Sequence, residues 1–281
     1  TYGIYIKNGS NNKILNSTID INSSSLEGNV NAIYLNNTTP QLLNNSIDML
    51  TSNSTVNNGI YMKGCIGSTS SIKDKLYIEN LNLSNNYFTS NAGSTNTGID
   101  INNSCFILKN SEIEVSNNLD NTNNYGIKLN STGNVAPYLS KTTTNVISFI
   151  NTTTGVNAGL NTIESSDISE INFLTQNYDR GQYISVSGST ANDGIYKISN
   201  TITSNVLTLE TGFNLVNESA SSGNNITLKA LYDIQIYNTT LKASSNTIKN
   251  ADTNSNYNVN LYNVINEGSV NNIEPSHTFY N

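Results

Sequence analysis

The sequence predicts an all-β chain: a right-handed parallel β-helix, a solenoid of short stacked strands, whose fifth coil is interrupted by a small β-barrel or sandwich domain. Three observations predict it. A Gly-Ile-x-Ile-like motif recurs at positions 3, 32, 59, 98 and 126, with spacings of 29, 27, 39 and 28 residues. A second, asparagine-bearing motif follows about a dozen residues after most copies. The pattern then lapses after Leu129 and its partner motif returns only at Ile236. This predicts coils 1–5 over residues 1–142, an inserted domain over 143–230 and a continuation of the helix over 231–281.

The first motif reads Gly3-Ile4-Tyr5-Ile6, Ala32-Ile33-Tyr34-Leu35, Gly59-Ile60-Tyr61-Met62, Gly98-Ile99-Asp100-Ile101 and Gly126-Ile127-Lys128-Leu129. Apolar residues alternate with polar or aromatic ones, so each copy is a strand with one buried face. Such strands are too short to stand alone, but stacked about 4.8 Å apart they pair backbones and line a continuous apolar interior. The second motif spans 14–21, 42–49, 83–90, 108–115 and 236–243. Each copy places an asparagine three residues before an apolar residue: Asn16, Asn44, Asn85, Asn110 and Asn238. Stacked asparagines donate to one neighbour and accept from the other, so these five are expected to form a ladder. The spacing of 39 marks extra residues in the third coil between Cys65 and Tyr77, expected as a lateral loop.

Between the two halves lie alternating segments at 159–163, 178–189, 192–198, 206–210 and 225–229, with Asn192-Asp193-Gly194 as a turn signal. Five short strands in this space predict a small barrel or sandwich. The order Val186-Ser187-Gly188-Ser189, then Asn192-Asp193-Gly194, then Leu207-Thr208-Leu209 resembles a small β-domain found in phage and prophage structural proteins. The flanking coils resemble the pectate-lyase-like β-helix superfamily, which includes polysaccharide lyases, tailspikes and surface adhesins. That resemblance implies the fold and leaves the function open.

Hydrophobic residues make up 36% of the chain and charged residues 12%, while asparagine fills about a fifth. Disorder would pair low hydrophobicity with high net charge, but the net charge is only −7 and Tyr, Ile and Thr recur at regular places. A negative chain with one arginine, Arg180, lacks the basic footprint of a nucleic-acid binder. No apolar run reaches membrane-spanning length, so membrane insertion is not expected. The chain opens inside a strand motif, as a piece of a longer fibre would.

The outward positions of the first motif form a column, Tyr5, Tyr34, Tyr61, Asp100 and Lys128. Its aromatic part and Asp100 are the expected ligand- or partner-binding residues, the tyrosines stacking on sugar rings or a partner protein. The alternative is that tyrosine merely packs on its strand neighbours. The second outward column is Asp20, Asp48, Thr89, Glu114 and Lys242. Asp20 and Asp48 fall on adjacent coils and are the one candidate pair for a shared Ca²⁺ or for paired-carboxylate chemistry; a solvated face is the alternative, and no other cofactor is expected. Arg180 and the single histidine, His277, lie away from the coils, so no catalytic residue is assigned. Cys65 and Cys105 follow their motifs at similar offsets, as a stacked disulfide or as buried thiols.

The expected function is a non-catalytic extracellular fibre module, part of a phage tail fibre or spike, a surface filament or an adhesin, with the insert as a lateral contact domain. Its partners would be other copies of itself or fibre subunits, and cell-surface polysaccharide, at a cell or virion surface. The alternative is a polysaccharide-binding or polysaccharide-degrading β-helix enzyme, a lyase or glycoside hydrolase.

Overall fold

Segments of three to ten residues with alternating polarity can satisfy their backbones only by pairing with copies of themselves elsewhere in the chain. The computed structural model describes residues 1–9, 12–23, 28–51, 54–65, 76–87, 94–117, 123–130, 140–144, 146–151, 160–176, 178, 181–220, 225–251, 257–271 and 279–280. Among them every regular element is a strand. The chain divides into two compact units: the repeats through Gly133 together with residues from Asp233 onward, and Asn134–Tyr232.

In the repeat unit each repeat supplies three strands, and each strand pairs in parallel with its counterparts in neighbouring repeats. The first strands are Tyr2–Lys7, Gly28–Asn36, Ser54–Lys63, Thr95–Asn102 and Asn124–Asn130, followed by the second half of Thr240–Asn250. Their register aligns Ile4, Ile33, Ile60, Ile99, Ile127 and Ile248. The second strands are Lys13–Leu15, Gln41–Leu43, Leu76–Glu79, Phe106–Lys109, the end of Asn225–Tyr237, and Tyr257–Tyr262. Here Ile14, Leu42, Ile78, Leu108 and Ile236 align. The third strands are Thr18–Ser23, Ser46–Thr51, Asn82–Tyr87, Glu112–Asn117, the first half of Thr240–Asn250, and Ile265–Asn271. They align Ile19, Ile47, Leu83, Ile113 and Leu241. Most of these aligned apolar side chains are fully buried, each burial stabilising by about 1.5–3 kcal/mol.

The register corrects one expectation. In the third repeat the second motif begins at Ile78 and not at Leu83, because Ile78 pairs with Leu42 and Leu108 while Leu83 pairs with Ile47 and Ile113. The motif glycine has a steric cause. A Cβ at Gly98 would lie 2.4 Å from Ile113 Cγ2 and 2.6 Å from the Gly126 carbonyl oxygen, so the close approach of successive bends needs a residue with almost no side chain.

The second unit is antiparallel. Its strands run in the order Ile147–Asn151, Asn161–Ser165, Val206–Leu209, Gly194–Ile202, Tyr183–Ser187, residues 225–231, and Ser140–Thr144. Ser140–Thr144 and Ile147–Asn151 are strands additional to the five expected. The core packs Phe149, Ile163, Phe173, Ile184, Ile198, Leu207 and Leu228 among others. The Asn192-Asp193-Gly194 turn is held by its own side chains. Asp193 Oδ1 accepts from the Ser189 N–H and Oγ–H at 2.8 Å each, and Asn192 Nδ2 donates to the Val216 carbonyl at 3.0 Å and to Glu218 Oε2 at 2.9 Å. Gly188 has φ +86° and approaches the Asn225 carbonyl so closely that no Cβ fits, which accounts for the glycine of the Val-Ser-Gly-Ser run.

Candidate functional site: the tyrosine face and the asparagine ladders

The first-strand register brings Tyr5, Tyr34, Tyr61, Asp100 and Lys128 into one column and extends it to Lys249. The rings of Tyr5 and Tyr34 are 5.2 Å apart and those of Tyr34 and Tyr61 4.9 Å apart. Tyr2, across the Gly3 bend, adds a fourth ring, 5.4 Å from Tyr5 and 4.9 Å from Tyr34. Tyr2 and Tyr5 remain 53% and 49% exposed, while Tyr34 and Tyr61 are half-buried. Burial and the neighbouring rings push the Tyr34 phenol above its ordinary range, and burial does the same for Tyr61.

Asp100 keeps its place in the column between Tyr61 and Lys128, yet it is only 5% exposed. Burial pushes its carboxyl up to about 6, against the pull of the Lys128 ammonium and of the Asn130 amide that donates to Oδ1. Beside the tyrosines runs a buried polar column, Asn31, Asn58 and Thr97, in register with Tyr2 and Tyr125. Asn58 Nδ2 donates to Asn31 Oδ1 at 2.9 Å; Asn58 Oδ1 and Thr97 Oγ1 have no hydrogen-bond partner among the described residues.

Asparagines at the turn after each second strand form a ladder, with one correction and two additions. Asn44 Nδ2 donates to Asn16 Oδ1 (3.0 Å), Asn80 to Asn44 (2.8 Å), Asn238 to Asn110 (3.2 Å) and Asn263 to Asn238 (3.0 Å). Between Asn80 and Asn110 the ladder is diverted, since Asn110 Nδ2 donates instead to Glu79 Oε1 at 3.1 Å. Asn85 is not a rung. It aligns with Met49 and Val115, points inward, is fully buried, and donates to the carbonyls of Asn57 and Thr97. The six rungs all have φ between 45° and 56°. Asparagine is the residue other than glycine that tolerates this left-handed conformation best.

Two further asparagine columns escaped the sequence pattern. Asn8, Asn37, Gly64 and Asn103 stand one residue beyond the first strands, again at positive φ. Their backbone N–H groups donate to the Asn36, Lys63, Asn102 and Asn130 carbonyls of the following repeat. Inside, Asn57 Nδ2 donates to Asn96 Oδ1 and Asn96 Nδ2 to Asn124 Oδ1, each at 2.9 Å, and Asn124 Nδ2 to Ser244 Oγ at 2.8 Å. The available signal was the residue following each Gly-Ile-x-Ile-x run, which is Asn or Gly in four successive copies.

Asp20 and Asp48 are aligned neighbours, both exposed. Ser84 occupies the third place of that column, followed by Glu114, Lys242 and Glu267; Thr89, expected there, lies outside the described residues. Among the described residues no group of three or more His, Cys, Asp or Glu side chains is placed to hold a metal ion. Arg180 and His277 lie outside the described residues. Cys65 and Cys105 are buried free thiols in neighbouring repeats, the Cys105 N–H donating to the Cys65 carbonyl at 2.9 Å. Their sulfurs have separate partners. Cys65 Sγ lies 3.7 Å from the Lys63 carbonyl, whereas Cys105 Sγ accepts from the Asp233 N–H at 3.3 Å. Burial pushes the Cys65 thiol above its ordinary range.

The fold class these observations define is an all-β protein of parallel-paired repeats with an antiparallel second unit. No protein-family model matches the chain, and no curated protein matches it.

Proposed function

We propose that the chain is a module of an extracellular fibre, a right-handed parallel β-helix shaft that carries the second unit as a small β-barrel or sandwich for lateral contact. The observation that carries this reading is the register across the interruption. Leu108 pairs with Ile236 and Ile127 with Ile248, so the repeat resumes after a chain excursion of more than a hundred residues as if nothing intervened. A shaft tolerates such an excursion because each repeat needs only its neighbours. The tyrosine face supplies the adhesive surface, since stacked exposed rings suit sugar rings or a protein partner. Cell-surface polysaccharide and other fibre subunits are its partners, at a cell or virion surface, with no cofactor required. The resemblance of the insert to a β-domain of phage structural proteins supports the same reading.

Single-particle electron microscopy tests the shaft: elongated particles with one lateral protrusion are expected, and round particles would refute it. A screen of acidic and neutral polysaccharides tests the non-catalytic part, which expects no cleavage.

One observation favours a second reading, a polysaccharide-degrading enzyme. A carboxyl held near pH 6 beside an aromatic strip is what a general acid requires. Glycoside hydrolysis also needs a second carboxylate at defined separation, and the positions aligned with Asp100 in the flanking strands are Tyr61 and Lys128. If cleavage is found, Asp100→Asn is expected to abolish it.

A further inference from the structure

Charge is sorted between two faces of the repeat unit. The described first strands and the second half of Thr240–Asn250 carry Lys7, Lys63, Lys128 and Lys249 against one carboxylate, Asp100. The third strands and the first half of Thr240–Asn250 carry Asp20, Asp48, Glu112, Glu114 and Glu267 against one cation, Lys242. In a chain of net charge −7 this is a segregation of sign, with the lysines on the same face as the exposed tyrosines. Lys7 and Lys63 are exposed, as are the five carboxylates, although Glu112 also holds Lys242 at 2.7 Å.

Both faces are ladders built on the same strand spacing of about 4.8 Å, so a row of charges on one copy is commensurate with a row on another. We propose that the tyrosine–lysine face of one copy docks on the acidic face of a second copy, with the two copies parallel and displaced by one repeat.

The displacement follows from matching the rows. Offset by one repeat, so that each first strand meets the third strand of the partner's following repeat, Lys7 faces Asp48, Lys63 faces Glu114, Asp100 faces Lys242 and Lys128 faces Glu267. Without the offset, Asp100 faces Glu114 and Lys128 faces Lys242, two like-charge encounters that such an interface would not tolerate. Displacement in the opposite sense would set Lys249 against Lys242 and leave Tyr2 and Tyr5 beyond the end of the partner's acidic row. Docking also covers Tyr2 and Tyr5, two of the largest exposed apolar side chains of the repeat unit. The contact joins different faces and carries a translation, so it does not close on itself and builds an open array. This rests on the fibre reading above and names the partner and the surface through which it assembles.

Sedimentation velocity of the full chain at about 0.02 M and about 0.5 M NaCl tests the pairing, because exposed charge pairs weaken as the screening length shrinks. Concentration-dependent association is expected at low salt and its loss at high salt. Lys63→Glu is expected to raise the concentration for half-association at least about tenfold, as is Lys128→Glu. The swap Lys63→Glu with Glu114→Lys in one chain is expected to restore association, since that contact then pairs Glu with Lys again. Circular dichroism of each variant checks that the fold is kept. Oligomers indifferent to all three variants would overturn the pairing while leaving the fibre reading intact. A wild-type monomer at low salt whose lysine face instead binds an anionic polysaccharide would overturn it in favour of that occupant. Failure of the fibre reading registers separately, as round particles or polysaccharide cleavage.

Discussion

Replacing Asn44 by alanine perturbs the ladder where both of its functions meet. Asn44 Nδ2 donates to Asn16 at 3.0 Å, Asn44 Oδ1 accepts from Asn80 at 2.8 Å, and the backbone sits at φ 56°. Two exposed amide bonds contribute about 0.5–1.5 kcal/mol each. Holding alanine in the left-handed region costs about a further 1–2 kcal/mol, which glycine avoids. Asn44→Ala is therefore expected to destabilise by about 2–5 kcal/mol. Asn44→Gly loses the same two bonds and keeps the turn, and is expected to destabilise by about 1–3 kcal/mol. Asn80→Ala removes only one rung-to-rung bond, because Asn110 donates to Glu79, and should fall below Asn44→Ala. Urea unfolding followed by circular dichroism measures the order directly, as shifts in midpoint at unchanged slope. Equal losses for Asn44→Ala and Asn44→Gly would refute the conformational part of the argument, and an Asn44→Gly variant as stable as the parent would refute the ladder.

Gly98→Ala places a Cβ against Ile113 and the Gly126 carbonyl and is expected to cost about 1–3 kcal/mol in the same assay, whereas Ala32→Gly at the equivalent bend should cost less than about 1 kcal/mol. The carboxyl of Asp100 is raised in the folded state, so its contribution to stability is complete below its unfolded value near 3.8 and is lost as pH rises through about 6. That loss is at most about 3 kcal/mol. Asp100→Asn should flatten the fall in melting temperature between those pH values, and an unchanged profile would assign the dependence elsewhere. Cys65 and Cys105 should resist a thiol reagent in the native protein and both react in denaturant; a chain lacking two titratable thiols after unfolding would show them bonded.

Much of the repeat was legible because a strand with one buried face must alternate, and Gly-Ile-x-Ile alternates at regular spacing. The register error at Leu83 has a compositional cause. Ile78-Glu79-Asn80 and Leu83-Ser84-Asn85 both fit an apolar-x-Asn template, and in a chain where about one residue in five is asparagine the template alone cannot choose. Pairing chooses, because only Ile78 keeps Leu83 opposite Ile47 and Ile113. The inner ladder of Asn57, Asn96 and Asn124 was illegible for a different reason. These residues occupy a buried column in register with Val30, where patterning expects an apolar side chain, and polar residues are admitted there only because each amide satisfies the next. The burial of Asp100 was equally hidden, since period two places it outward and says nothing of what lies above it.

The asparagine content is a structural requirement of this repeat. A left-handed Asn or Gly follows the first strand in the first four repeats, and a left-handed Asn follows all six second strands, where its side chain can also bond its copies in neighbouring repeats. Gly64 makes the same left-handed turn without a side chain. Inward amides then replace apolar volume, which is why 36% hydrophobic residues suffice for an ordered chain. The rungs are neutral amides, so salt has little hold on the stability of the stack itself. The charges lie mainly on the two lateral faces, and there salt acts. Raising ionic strength should thus dissociate copies while leaving the unfolding midpoint of the repeat unit nearly unmoved. If the midpoint instead falls in step with dissociation, the repeats depend on their neighbours for folding, and the amide ladders are not what holds the stack together.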